Sequence, residues 1–254
     1  VLLAKGQLKE KYVALKRIRK NRFIQSIADV RIEQTVLVVA QECRFLTRLN
    51  AIFETTVGTI LLTISVLATH DSIFLVLDYI SGGTLGELVK KGKVLANNTI
   101  QFLAAEIICG LNFLHSRGFI HRDLKPHNIL LHNTGHAEIA NFSLSADTQR
   151  SGGMAEGFCG TRAYIAPEVF LKCKYNKAED YYSLGIILFQ MTTGMDPQYN
   201  FESRKVALLC ENPNERMRFV ASIRDHPFFA SVVWSAIEAG RIPTSINLVN
   251  TNSG

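Results

Sequence analysis

The chain has 254 residues, of which 47% are hydrophobic and 20% are charged. This composition is typical of a globular protein, and the length suits one large domain or two lobes that share a cleft. The formal net charge of +6 is scattered along the sequence, and the densest basic cluster, residues 16–22, contains no aromatic residue. Nucleic-acid binding is therefore not favoured, because a binding surface for single strands combines positive charge with aromatic stacking platforms.

The five cysteines are odd in number, widely spaced and free of any C-x-x-C pair. This pattern argues against a disulfide framework or a zinc site and indicates a reducing compartment. Residues 55–69 are strongly apolar but shorter than a bilayer requires, and their β-branched content favours a buried strand. With no signal peptide at the start, we expect a cytoplasmic protein without a transmembrane segment. Because the first residue is Val1, we expect the sequence to be a fragment or the product of an incomplete gene model.

The first part of the chain is predicted to be mainly β-structure. Short strand-like runs occur at residues 1–4 and 12–16, separated by a polar turn. Residues 35–49 carry apolar side chains at helical spacing, which predicts one helix. Residues 73–77 form a further apolar strand, and the glycines that follow at 82 and 83 indicate a flexible connection.

Beyond this connection the chain is predicted to be mostly helical. Residues 97–117 place apolar side chains on one face, and Gly118 is a suitable stop signal. Residues 180–193 are apolar nearly all round, which is typical of a helix buried in a core. We therefore predict an α+β fold with two lobes: a small β-rich lobe with one helix, residues 1–78, and a larger α-helical lobe, residues 79–254.

The most informative motif is the run His-Arg-Asp-Leu-Lys-Pro-His-Asn at residues 121–128. Asp123 can accept the proton of a hydroxyl group, Lys125 can neutralise a phosphate, and Asn128 can hold a divalent cation. These are the requirements of phosphoryl transfer, in which catalysis consists mostly of positioning and charge stabilisation.

This run resembles the catalytic loop of eukaryotic protein kinases, H-R-D-L-x-x-x-N. From Val1 to about Pro243 the chain resembles the AGC group of serine/threonine kinases, and within it the protein kinase C type, novel delta/theta class. The resemblance implies the bilobal kinase fold, with ATP, Mg²⁺ and a protein substrate or signalling partner. Asp123 would be the catalytic base, Lys125 the clamp on the γ-phosphate, and Asn128 a metal ligand.

The resemblance also implies a nucleotide site. Lys16, in the run Val-Ala-Leu-Lys, would grip the α- and β-phosphates, with Glu42 as its partner. The other implied nucleotide-binding positions are Val1, Ala14, Leu77, Asp78, Ile80 and Leu130; Leu77 would guard the back of the pocket. Thr84 stands where related kinases often have an acidic residue for the ribose.

The chain departs from the kinase pattern at the second metal ligand, where Asp-Phe-Gly is replaced by Asn141-Phe142-Ser143. A carboxamide oxygen carries no net charge, whereas magnesium prefers anionic oxygens when it bridges phosphates. The loss is expected to weaken transition-state stabilisation by several kcal/mol, roughly 10²-fold or more in rate. Phe142 would keep its apolar packing role.

A second departure lies in the activation segment. Residues 158–168 resemble the F-C-G-T-P-x-Y-I-A-P-E run of these kinases, but Gly157 replaces the expected phosphorylatable Thr. Arg122 would then lack its anionic partner unless Thr148 or Ser151 substitutes. His127 replaces a Glu that several AGC kinases use to recognise basic substrates.

Several other residues are implied to be structural. His121 would pack, Glu168 and Arg216 would form a buried salt bridge, and Asp180 would anchor the backbone of the catalytic loop. Relative to the family we also expect the glycine loop and most of the C-terminal tail to be missing and the large lobe to be shortened. Three hypotheses stay open: a weak or silent kinase, a pseudokinase that binds partners, and a decayed duplicate that folds poorly.

Overall fold

The small lobe is built on one antiparallel sheet in the computed structural model, which describes residues 1–5, 12–19, 27–55, 72–90, 94–195 and 207–241. The strands lie in the order β1-β2-β4-β3. Their bounds are β1 Leu2–Lys5, β2 Tyr12–Arg19, β3 Leu49–Thr55 and β4 Ser72–Asp78. The strand predicted for residues 55–69 lies, except for Thr55, outside the described residues.

The described part of this lobe contains one α-helix, α1, which spans Ile27–Val39 and so begins earlier than the predicted 35–49. It continues into a 3₁₀ turn at Ala40–Glu42, and Cys43 is extended, so the helix cannot reach residue 49. The prediction began too late because Glu33 interrupts the apolar stripe. This residue is only 1% exposed and lies on the inner face with Val30 and Leu37.

The large lobe is mainly helical, as expected. Its helices are α2 Leu85–Leu88, α3 Asn97–Ser116, α4 Pro167–Phe170, α5 Ala178–Thr193, α6 Pro213–Ala221 and α7 Trp234–Glu238. Two short antiparallel pairs complete it: β5 Phe119–Ile120 with β8 Ala146–Asp147, and β6 Ile129–Leu131 with β7 Ala137–Ile139. The prediction of an α+β fold with a small β-rich lobe and a larger helical lobe is confirmed.

The core of the large lobe lies between α3 and α5. The inner face of α3 carries Ile100, Leu103, Ile107 and Leu111, all at most 1% exposed, as its helical spacing predicts. Buried residues of α5 pack against this face. Burying this much apolar surface supplies the main stabilisation of the lobe and fixes α5 as a rigid support for the site.

Arg216 and Glu168 form a buried ion pair that ties α6 to α4. Arg216 Nη1 and Nη2 donate to the two carboxylate oxygens of Glu168 at 2.7 and 3.2 Å, and Arg216 is fully buried. The guanidinium also donates to the backbone oxygens of Ala178 and Cys210. Two charges buried this deeply are stable only when they are fully hydrogen-bonded. Any movement of the segment before α5 would break these bonds, so the ion pair holds that segment in one arrangement.

None of the helices in the described part of the chain combines the length and the apolar character that crossing a bilayer requires.

Glu179 is a buried acid at the start of α5. It is 2% exposed, and its Oε2 has no hydrogen-bond partner. Burial raises the pKa of Glu179 well above its ordinary value of 4.5, and the neighbouring charge of Asp180 raises it further. The folded state therefore keeps a proton that the unfolded chain releases, so this group's contribution to stability is lost as pH rises above 4.5.

We predict that Glu179→Met stabilises the protein, because the folded state no longer has to hold that proton. The gain in unfolding free energy is expected to grow by about 1.4 kcal/mol per pH unit between the unfolded and folded pKa values. Urea denaturation at about pH 5 and about pH 7 measures it. Glu211→Met, at an exposed position, is the control; an equal, pH-independent change in both variants would contradict the prediction.

Candidate active site

Helix α5 supports the loop between β5 and β6, residues 121–128. Asp180 Oδ2 and Oδ1 accept hydrogen bonds from the backbone N–H groups of His121 and Arg122, each at 2.9 Å. Asp180 is fully buried, which opposes its charge, but the hydrogen bond from His115 and the backbone donors lower its pKa to about 2. Arg122 has a φ of 65°, a left-handed conformation that costs energy in a non-glycine residue. The two backbone bonds to Asp180 hold it there.

His121 is fully buried and acts through packing. Its Nε2–H donates to the backbone oxygen of Ala140 at 3.1 Å, while its Nδ1 accepts from the N–H of Asp123 at 3.2 Å. Its ring meets the ring of Phe142 edge-on, with centroids 5.6 Å apart. Burial lowers the pKa of His121, so the neutral ring keeps both bonds.

Asp123 and Lys125 are joined by a hydroxyl from the activation segment. Thr161 Oγ1 donates to Asp123 Oδ1 at 2.6 Å and accepts from Lys125 Nζ at 2.7 Å. Lys125 Nζ lies 3.0 Å from Asp123 Oδ2. Gly160 permits this approach, since its φ is 100° and an added Cβ would lie 2.5 Å from the backbone oxygen of Arg122. The carboxylate of Asp123 and the ammonium group of Lys125 thus contact the same hydroxyl oxygen, Thr161 Oγ1. Deprotonation of a hydroxyl beside a phosphate requires such an arrangement.

The partner that sequence analysis assigned to Lys16 is wrong. Lys16 Nζ donates to Glu33 Oε1 at 2.5 Å, whereas Glu42 is bound to Arg117 at the surface. Glu42 follows the last turn of α1 in the 3₁₀ turn, and its side chain is 59% exposed. The error follows from the misplaced helix start, because only a helix that begins at residue 27 puts Glu33 opposite β2.

Asn141 occupies the position between Lys16 and Asn128. Its Oδ1 accepts from Lys16 Nζ at 3.1 Å and from Ser143 Oγ at 3.0 Å. Its Nδ2 donates to Asn128 Oδ1 at 3.3 Å. This orientation of the amide follows from chemistry, because an ammonium group can only donate and must face the oxygen. The two predicted metal-binding side chains therefore bind each other.

This pair of carboxamides does not fit magnesium. The Asn128 oxygen that would face a cation already accepts an N–H, and neither amide carries charge. Nowhere among the described residues do three or more His, Cys, Asp or Glu side chains form a group that could hold a metal ion.

The backbone at Asn141 is left-handed, with a φ of 67°, whereas Ser143 has no positive φ. Ser143 therefore imposes no backbone strain of this kind.

The other predicted nucleotide-binding residues lie in or beside β1, β2, β4 and β6. Ala14 and Leu77 are directly opposite each other in the β2–β4 register, so they share one face. Leu130 is bridged to Thr84, whose hydroxyl caps α2 by accepting from the N–H of Glu87.

Three further positions lie at or beside the ends of β1 and β4. Asp78 ends β4 and accepts a hydrogen bond from Asn50, and Ile80 follows it, half-buried. Val1 precedes β1 and is 85% exposed. In this arrangement Val1 is the least enclosed of the predicted set.

Among the described residues, the hydrogen-bond partners of the Arg122 guanidinium are neutral groups. Its Nε donates to the backbone oxygen of Leu144 at 2.6 Å, and its Nη2 to that of Ser145 at 3.5 Å. Its Nη1 donates to the backbone oxygen of Glu156 and to the hydroxyl of Tyr175, both at 3.3 Å. The guanidinium thus holds the activation segment without a phosphate.

The two residues considered as substitutes for that phosphate lie elsewhere. Thr148 donates to the backbone oxygen of Gly118, and Ser151 donates to backbone oxygens of Thr148 and Met154. Tyr175 takes the position instead: it is 3% exposed and its hydroxyl donates to the backbone oxygen of Gly157 at 3.0 Å. Burial raises its pKa to about 12, so it stays a neutral donor.

Comparison with known proteins agrees with this geometry. A model described as "Protein kinase domain" matches residues 1–225, and the chain belongs to the protein kinase family. It is 33% identical to protein kinase C delta type of Mus musculus over 95% of this chain and 38% of that protein. It is 30% identical to protein kinase C of Drosophila melanogaster over 95% of this chain and 35% of that protein.

A third relative is serine/threonine-protein kinase Sgk1 of Danio rerio, 29% identical over 97% of this chain and 60% of that protein. The predicted resemblance to kinases of the AGC group and protein kinase C type is confirmed. The chain spans less than two fifths of the length of the protein kinase C delta relatives.

We predict that Glu33→Ala and Glu42→Ala differ sharply in stability. Glu33→Ala leaves the partly buried ammonium group of Lys16 without its carboxylate and should lower the unfolding free energy by about 1–3 kcal/mol. Glu42→Ala removes only a surface contact and should cause no measurable change. Urea denaturation compares the two variants. A larger loss in the Glu42 variant would contradict the pairing.

Proposed function

We propose that this chain is a serine/threonine protein kinase domain that transfers phosphate from ATP to a protein hydroxyl slowly. The observation that carries the proposal is the contact of Asp123 with both Thr161 and Lys125, at 2.6 and 3.0 Å. A carboxylate held this firmly beside an ammonium group can orient a substrate hydroxyl and accept its proton. In the proposal, Lys125 balances charge that develops on the transferred group.

ATP fits the residues at the lobe junction. Lys16 would hold the α- and β-phosphates, and Ala14, Leu77 and Leu130 would enclose the base. When bound, ATP supplies the phosphoryl group that is transferred. The ion pair to Glu33 supports the role of Lys16, because it fixes a flexible ammonium group at one point.

Slow transfer is proposed because of Asn141. A carboxamide there lends no negative charge to a cation, and its N–H already occupies the oxygen of Asn128. The proposal therefore includes no step that runs through magnesium. Charge on the phosphates would be balanced by Lys16 and Lys125 alone, which leaves transition-state stabilisation several kcal/mol short of a site with a bound metal.

A second candidate function is a pseudokinase that binds partner proteins. Arg122 favours it, because its hydrogen bonds to neutral groups hold the activation segment without a phosphate. A segment that needs no phosphate cannot be switched on by one. The boundary at residue 78 and a cytoplasmic location stay predictions.

We predict that Asn141→Asp raises the rate of phosphoryl transfer to a generic peptide by roughly 10²-fold in the presence of magnesium. The carboxylate would restore negative charge beside Asn128 and release its oxygen. Transfer of radiolabel from ATP measures the rate.

Two control variants accompany this test. Ser143→Gly alters the same motif without adding charge and should leave the rate low. Asn141→Asp combined with Asp123→Ala should abolish the signal. If the unaltered chain transfers phosphate rapidly and Asn141→Asp adds nothing, the proposed weakness is wrong; if the single variant also stays silent, the partner-binding function is favoured.

A further inference from the structure

An exposed aromatic and aliphatic patch lies on the large lobe near α4. Phe158 is 49% exposed, Phe170 47% and Leu171 74%. The rings of Phe158 and Phe170 meet edge-on with centroids 5.5 Å apart, so the two side chains form one platform. Contiguous apolar side chains that stay in water are typical of interaction sites.

The same stretch of chain is strongly basic. Between residues 157 and 178 there are four cations, Arg162, Lys172, Lys174 and Lys177, and all four are exposed. Glu168 within this stretch is buried in its pair with Arg216, whereas Glu156, just before the stretch, is exposed and its Oε2 lies 3.9 Å from Lys174 Nζ. With one exposed acid against four exposed cations, residues 156–177 carry a net positive charge beside these apolar side chains. We call Phe158, Phe170, Leu171 and these four cations the basic aromatic surface.

Backbone contacts hold this surface in a fixed form. Ala155 and Tyr175 exchange both backbone hydrogen bonds, at 2.7 and 2.9 Å. The N–H of Lys172 donates to the oxygen of Val169, and Lys172 adopts a φ of 56° as α4 ends. A surface that is ordered before binding loses little conformational entropy when a partner arrives.

The basic aromatic surface adjoins the catalytic loop. Arg162 directly follows Thr161, whose hydroxyl contacts Asp123 at 2.6 Å. A polypeptide whose hydroxyl took the place of the Thr161 hydroxyl beside Asp123 would therefore lie near Arg162. A planar membrane laid on the same surface would cover the loop, so a polypeptide partner fits this position better than a lipid bilayer.

We propose that the basic aromatic surface binds an acidic polypeptide segment that carries an apolar anchor. The anchor packs on the platform of Phe158, Phe170 and Leu171, and Glu or Asp side chains of the partner pair with the surrounding cations. Complementary charge of this kind sets specificity and raises the association rate. The interaction needs neither nucleotide nor phosphoryl transfer, so it stands or falls separately from the proposed activity.

Fluorescence anisotropy with two synthetic peptides tests the proposal. One labelled peptide has a Phe-Leu pair flanked by Glu and Asp; in the other every Glu and Asp is replaced by Lys. The acidic peptide should bind, and its binding should weaken as salt is raised, because salt screens exposed charges. The basic peptide should bind at least roughly tenfold more weakly, a difference of about 1.4 kcal/mol.

Four variants of the chain locate the binding surface. Arg162→Glu and Leu171→Ser should each weaken the acidic peptide by roughly threefold to tenfold. Arg218→Glu and Val233→Ser, at exposed positions on α6 and before α7, should not. Equal binding of the two peptides, or equal losses in all four variants, would overturn the proposal.

Phosphatidylserine vesicles form the last arm of the test. If they bind the chain, lose binding with Arg162→Glu and Leu171→Ser, and the acidic peptide does not bind, the surface is a lipid site and the proposal fails. Peptide binding without vesicle binding supports it.

Discussion

The hydrogen bonds from the backbone of His121 and Arg122 to Asp180 are the constraint on which the site depends. They join the catalytic loop to α5, the most deeply packed helix of the large lobe, and they hold Arg122 in a left-handed conformation. With that backbone fixed, Asp123 faces the cleft and Arg122 reaches the activation segment. The same carboxylate therefore positions both the candidate base and the residue that orders the substrate side of the site.

The cleft combines an intact proton-accepting end with an altered metal end. Asp123, Lys125 and Thr161 form a closed set of hydrogen bonds, as a working phosphotransfer site would need. At the other end, Lys16 donates a hydrogen bond to Asn141, and Asn141 donates one to Asn128, so hydrogen bonds link the three side chains. The carboxamide of Asn141 can link Lys16 to Asn128 because it both accepts and donates hydrogen bonds, whereas a carboxylate would only accept them.

Much of this arrangement could be predicted from the sequence, because short motifs carry it. The catalytic run at residues 121–128, the Lys16 strand and the Asn141 replacement are local patterns, and the structure brings all of them to one cleft. The helical spacing in α3 likewise gave the correct core face.

The errors concern partners that are distant in sequence. Glu33 was missed because a buried charged residue breaks the apolar periodicity that marks a helix. The partner of Lys16 was therefore assigned to Glu42, which lies beyond the C-terminal end of α1. Tyr175 was missed because no motif announces a neutral partner for Arg122; only the pairing of Ala155 with Tyr175 brings that hydroxyl within reach. Two weak signals in the sequence could have suggested these partners. Glu33 is an acid within the apolar stripe of α1, and Tyr175 is an aromatic residue between Lys174 and Lys177.

Calorimetric titration of the unaltered chain with ATP, first in EDTA and then in excess magnesium, tests the central claim most directly. If the amide of Asn141 closes the cation position, ATP should bind with a Kd that changes by less than about threefold between the two conditions, under 1 kcal/mol. Tightening by roughly a hundredfold with magnesium, lost in Asn128→Ala, would contradict the account, because it would mean that the two carboxamides part to hold the metal.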